Sequence, residues 1–146
     1  MPAMLEFWKI LRSLLRLARL SINDRLSQLD LSSAAGDIIF YLNAEESGLS
    51  QEALGERLSI GKAAISRTVD SLVRKGLVQR TQHPRDARAN LVRLTTGGLA
   101  ISAEVCRAYD DVFRIIRLDI PDEDFLDISA LLHRILNNLS RERSLE

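Results

Sequence analysis

The residues most able to do chemistry in this chain are cationic and clustered. Between Arg57 and Arg93 stand nine basic side chains (Arg57, Lys62, Arg67, Arg74, Lys75, Arg80, Arg85, Arg88 and Arg93) against two acids, Asp70 and Asp86, a local charge of +7 in a 146-residue chain whose formal net charge is zero. The remainder carries −7, so the chain is electrically polarised around its middle. Fixed guanidinium and ammonium groups at this density are suited to phosphate rather than to bond-breaking. Groups for catalysis do not converge. His83 and His133 lie in a loop and a terminal helix without matching partners, and no metalloprotease, P-loop, nucleophile-elbow or dinucleotide fingerprint occurs. Asp110–Asp111 and Asp122–Asp124 read as a solvated helix end and a helix start. The single cysteine, Cys106, excludes an intrachain disulfide and a cysteine-cluster zinc site. No cofactor and no catalysis are therefore expected.

The elements that must position these cations follow from periodicity. Residues 3–29 read as one long helix. Met4, Trp8, Leu11, Leu15, Ala18, Ile22 and Leu29 recur at threes and fours, Phe7, Ile10, Leu14 and Leu17 lie beside them, and Lys9, Arg12, Arg16 and Arg19 form a basic row. That row is a solvated face, a phosphate contact or a membrane-surface contact. Ser32 or Ser33 suits the cap of a second helix reaching Glu46, with Ile38, Ile39 and Leu42 inward. Ser50 caps a short helix over 51–58. A tight Ser59-Ile60-Gly61 connection leads to a fourth helix over 62–75, stopped by Gly76. The period then changes to that of strands at 77–82 and 90–94, around the basic tip His83-Pro84-Arg85-Asp86-Ala87-Arg88. Thr95 caps a fifth helix reaching Leu118, although Gly97 and Gly98 weaken its first turn. Pro121 opens a sixth helix with Phe125, Ile128, Leu132, Ile135 and Leu139 on heptad-like spacing.

Short helix, three-residue turn, amphipathic helix and basic hairpin make a winged helix-turn-helix. On a wheel at about 100° per residue, Ile65, Val69, Leu72 and Val73 gather on one side of the fourth helix and face Leu54, Leu58 and Leu77. Lys62, Ala63, Ser66, Arg67, Asp70 and Arg74 spread over the other. Small side chains at Ala63 and Ser66 allow close approach to base edges. Arg67 reaches a guanine bidentately, and Lys62 a phosphate or a base. Ser50 and Gln51 start a helix whose N–H groups suit phosphate. Arg85 and Arg88 on the hairpin suit the minor groove, with Asp86 orienting an arginine. His83 is a loop residue, a phosphate contact or a pH-sensitive group.

The ordered set Leu-Ser at 49–50, Ala-Ile-Ser-Arg-x-Val-Asp-x-Leu at 64–72, Lys-Gly-Leu-Val at 75–78, Asp-x-Arg at 86–88 and Leu-Thr-x-x-Gly at 94–98 resembles the MarR family of regulators. The resemblance covers nearly the whole chain. It implies a mainly α fold with a small β-hairpin wing, a winged helix-turn-helix lobe over about 33–95, and N- and C-terminal dimerisation helices over about 3–29 and 96–142. It also implies a cytoplasmic homodimer on a palindromic double-stranded operator, and a small aromatic or phenolic effector. Lys62, Ala63, Ser66 and Arg67 match the family's recognition-helix positions, and Asp86 and Arg88 its wing motif. Gly61 departs from the usual Ser or Asp at the helix start. Cys106 does not match the reactive position of peroxide-sensing members. The competing expectation is a winged-helix module that pairs with another regulator instead of DNA. No apolar run reaches the ~20 residues a membrane span requires.

Overall fold

The computed structural model describes residues 2–82, 85 and 90–144. It divides into two compact units, Met1–Val112 and Phe113–Glu146. The first holds α1 (Pro2–Ser27), α2 (Ser33–Asn43), β1 (Leu49–Ser50), α3 (Gln51–Leu58), α4 (Lys62–Arg74), β2 (Val78–Gln82), β3 (Asn90–Leu94) and most of α5 (Thr96–Ile116). The second holds the end of α5 and α6 (Asp122–Ser144).

The boundaries have local causes. Ser32, rather than Ser33, caps α2, its hydroxyl accepting from the Ala35 N–H at 3.2 Å. Ser50 does the same for α3 through Ala53 at 3.0 Å. Left-handed Ser59 (φ 53°) ends α3, and Gly76 (φ 74°) follows the end of α4. Gly61 starts α4 without a side-chain cap. Thr95 Oγ1 accepts from the Gly98 N–H at 3.1 Å and so caps α5. Helix α2 stops at Asn43, three residues before the expected end. The wing is the β2–β3 ribbon, antiparallel from Val78↔Leu94 to Gln82↔Asn90. A strand absent from the sequence reading, β1, adds to β3 through Leu49↔Val92 and Ser50↔Leu91, giving the order β1-β3-β2. Two residues are too few to show a period of two.

The core of the first unit is aliphatic: Leu26, Ile38, Ile39, Leu54, Ile65, Val69, Leu72, Val78, Val92 and Val105 are fully buried. Two glycines permit close contacts within it. A Cβ on Gly36 would lie 2.7 Å from Leu26 Cδ2, so α1 meets α2 there with nothing between. A Cβ on Gly98 would strike the Leu77 carbonyl and come within 3.1 Å of Leu94 Cδ2. The glycine that weakens the α5 helix is thus what lets α5 pack beside Leu77, the residue before the wing. Val73, expected inward, is 38% exposed. It lies at the edge of the α4 apolar arc, beyond the reach of the core.

One polar cluster ties three helices together. The Asp37 carboxylate on α2 accepts from Arg19 Nη1 on α1 at 2.9 Å and from the Tyr109 hydroxyl on α5. Arg19 also donates to Ser33 Oγ at 3.0 Å, and Tyr109 stacks on Phe40 with ring centroids 4.2 Å apart. Arg19 therefore differs from the rest of the basic row of α1 in having a carboxylate partner, and its hydrogen bond to Asp37 holds its guanidinium above the usual arginine range. Burial pushes the Tyr109 hydroxyl well above the ordinary tyrosine range, and Asp37 adds to this as hydrogen-bond acceptor and as charge.

The N-terminal two-thirds of α1 is different. Met4, Leu5, Phe7, Trp8, Ile10, Leu14, Leu15, Leu17 and Leu20 are all exposed, and only Leu26 is buried. In the second unit, Arg117 lies over Phe113 and Phe125, at 5.7 and 5.0 Å from the ring centroids, and pairs with Asp122. This staples the α5–α6 turn. No described residue of α6 is buried, and Leu126, Leu131, Leu132, Ile135, Leu136 and Leu139 all face outward. No described helix is long and apolar enough to cross a membrane.

Two stability predictions follow from these contacts. Gly98→Ala, forced against a backbone carbonyl, costs about 2 kcal/mol in urea unfolding, whereas Gly61→Ala, with open space around it, changes little. Unfolded tyrosine titrates near pH 10, and folded Tyr109 titrates above that. Its contribution is therefore complete below about pH 10 and is lost as pH rises through the folded value. Tyr109→Phe should flatten the alkaline fall in stability measured by unfolding at successive pH values.

Candidate nucleic-acid interface

The surface built by α3, α4 and the wing takes its orientation from the core. Ile65, Val69 and Leu72 are fully buried, and their spacing of four and three places them on one side of α4. The opposite side must face out. There Ala63, Arg67 and Arg74 are exposed and Ser66 is half-buried, and Lys62 is exposed at the helix start. Arg85 is exposed on the wing. His83, Asp86 and Arg88 lie outside the described residues, and with them the expected role of Asp86 in orienting an arginine.

The basic segment separates into two classes. Arg57 pairs with Glu45 at 3.4 Å, Lys75 with Asp30 at 3.8 Å, and Arg80 with Asp70 at 2.6 Å, while Arg93 Nε donates to the Ser47 carbonyl at 2.9 Å. These four cations serve the lobe itself. Lys62, Arg67 and Arg74 have no ion-pair or side-chain hydrogen-bond partner among the described residues; Arg67 and Arg74 lie on the outer side of α4 and Lys62 at its start. Charge counting along the sequence could not make this division, because the partners lie up to 46 residues away.

Ser50 and Gln51 open α3 at the foot of the same surface. A hollow of about 390 Å³, lined by Gln51, Glu52, Gly55 and Lys62, lies between that helix start and the start of α4. Gln51 is not loose there: its Oε1 accepts from Arg80 Nε at 2.9 Å. Arg80 thus bridges α3, α4 and β2, a link the sequence reading missed. No spacing signal joins a strand residue to helix residues 10 and 29 positions away.

The remaining titratable candidates lie on α5 and α6. Burial pushes the Cys106 thiol up, away from the thiolate that redox chemistry needs. His133 on α6 has its Nδ1 2.9 Å from the Ser129 carbonyl of the same helix.

Comparison with known proteins gives this geometry its relatives. The MarR family profile matches residues 29–89. The multiple antibiotic resistance protein MarR of Escherichia coli is 31% identical over 117 residues, covering 79% of this chain and 80% of that protein. Among solved structures, the transcriptional regulator PA3341 superposes with a TM-score of 0.86 at 26% identity, covering 92% of this chain and 98% of the other. A cysteine-to-serine mutant of E. coli MarR complexed with operator DNA superposes at 0.77 with 25% identity, covering 92% and 96%. With an aliphatic winged lobe of this topology and a relative this similar over most of both lengths, the chain belongs to the MarR family.

Proposed function

We propose that this protein is a sequence-specific, double-stranded-DNA-binding transcriptional regulator, not an enzyme. It acts in the cytoplasm as a homodimer on a palindromic operator, as a repressor relieved by a small aromatic or phenolic effector. The observation that carries the reading is the division of the cations. Lys62, Arg67 and Arg74 on α4 have no partner among the described residues, whereas Glu45, Asp30 and the α4 carboxylate of Asp70 are already paired with Arg57, Lys75 and Arg80. Unneutralised like charges on one helix face repel one another unless a polyanion meets them. The solved complex of a MarR relative with operator DNA supports the same partner.

In this reading α4 enters the major groove, with Lys62, Ala63, Ser66 and Arg67 toward the bases. Ser50, Gln51 and Arg74 hold phosphate, and Arg85 and Arg88 belong to the wing contact. Asp86 orients an arginine there. The chain is one functional domain, its winged lobe carried on terminal dimerisation helices. The exposed leucines of α1 and α6 support pairing of two chains, since rows of apolar side chains this long are costly in water.

Two measurements test this. Affinity for a selected duplex should fall steeply with salt. Arg67→Ala should cost about 1–3 kcal/mol and relax sequence preference, whereas Arg74→Ala should weaken all duplexes alike. If neither variant differs from the parent on any duplex, the assigned face is wrong. In sedimentation, Leu15→Glu should weaken dimerisation by about a hundredfold, the loss of a buried apolar anchor. An unchanged dimer would remove α1 from the interface.

A further inference from the structure

One residue of the α4 face works against binding a polyanion. Asp70 lies on the outer side of α4, between Ser66 and Ala63 on a wheel at about 100° per residue. A carboxylate there would repel the phosphates that Lys62, Arg67 and Arg74 attract. Arg80, from β2, answers it at 2.6 Å and at the same time donates through Nε to Gln51 Oε1 at 2.9 Å. A guanidinium has five donors and no acceptor, so only the amide oxygen of Gln51 can face it. The Gln51 NH₂ is thereby turned away from Arg80, and Gln51 lines the hollow it shares with Lys62.

We propose that Arg80 is a positioning residue of the DNA interface: it cancels Asp70 within the α4 face and locks Gln51 with its amide donors outward, toward phosphate. The inference rests on the DNA-binding reading and deepens it. It carries a definite exclusion. A glutamine reads adenine with both its oxygen and its nitrogen. With the oxygen held by Arg80, Gln51 supplies donors alone, so it serves affinity on every sequence and not base choice. Arg80 itself touches no phosphate and acts through its two neighbours. Its pairing is half-exposed and contributes little to stability, so its loss should be felt in binding more than in folding.

The test is fluorescence anisotropy on a selected duplex and an unrelated duplex across a salt series, with melting temperature as a folding control. Arg80→Gln should weaken both duplexes about tenfold, the scale of one lost charge-assisted hydrogen bond. Adding Asp70→Asn to it should recover most of that loss, because the orphaned carboxylate is removed. The double variant should keep the parental salt slope, since no phosphate contact has gone. Gln51→Glu retains the Arg80 contact but presents an acceptor outward. It should weaken both duplexes by about the same factor without altering preference between them. A double variant no better than Arg80→Gln, or one whose slope falls by about one, would make Arg80 a direct contact and overturn the proposal. So would a Gln51→Glu protein that binds as the parent does or shifts base preference. The parent and Arg67→Ala separate the two levels. If the parent binds no duplex, or Arg67→Ala changes nothing, the DNA-binding reading fails and this inference with it. If both behave as expected and the Arg80 and Gln51 variants match the parent, only this inference falls.

Discussion

The rotation of α4 about its own axis is the constraint on which the rest of the lobe depends. Ile65, Val69 and Leu72 have essentially no exposure. Each such side chain contributes about 1.5–3 kcal/mol by leaving water. Turning the helix by half a revolution would surrender all three and press Arg67 into an aliphatic core with no carboxylate to meet it. The helix therefore has one orientation, and its polar residues inherit theirs. What lies against the buried side is equally specified. Val78 and Val92 come from a ribbon whose register runs from Val78↔Leu94 to Gln82↔Asn90, and Leu54 comes from a helix set in place by the Ser50 cap.

A second demand comes from the surface the lobe leaves uncovered. Helix α1 has two chemically different parts. Its last turns are anchored by Leu26 against Gly36 and by Arg19 on Asp37, where Tyr109 joins from α5. Its earlier turns carry leucines, Phe7 and Trp8 into solvent. The anchored part sets the direction of the free part, so the Asp37 cluster links the winged lobe mechanically to the surface on which a second chain would pack. In the second unit, Arg117 between Phe113 and Phe125 does similar work for the α5–α6 turn. Both devices join a cation, a carboxylate and aromatic rings at a helix junction.

Much of this was legible in the sequence where the cause is local. The bounds of α3 and β3 and the start of α4 came out as observed, because Ser50, Gly61 and the alternation at 90–94 act over a few residues. The ordered motifs from Leu49 to Gly98 were enough for the family. What escaped has its cause elsewhere in the chain. Strand β1 exists only because β3 offers it an edge. Arg19 read as one cation of a row of four, and its pairing with Asp37, 18 residues on, was beyond that reading. Val73 has the right type for the core and the wrong angle. Arg80 was one cation among nine, and its role depends on Gln51 and Asp70, which a linear reading has no means of bringing together. Gly98 read as a weakness of α5, and in three dimensions it is the gap that admits the Leu77 backbone.

The central claim is that two copies present the outer side of α4 to neighbouring turns of one DNA face. Hydroxyl-radical footprinting of the protein on a duplex selected from random sequence measures this directly. The account predicts two symmetric protected patches, about 10 bp apart centre to centre on the same face, each flanked by wing protection. A single unsymmetric patch, or uniform protection without a repeat, would contradict it.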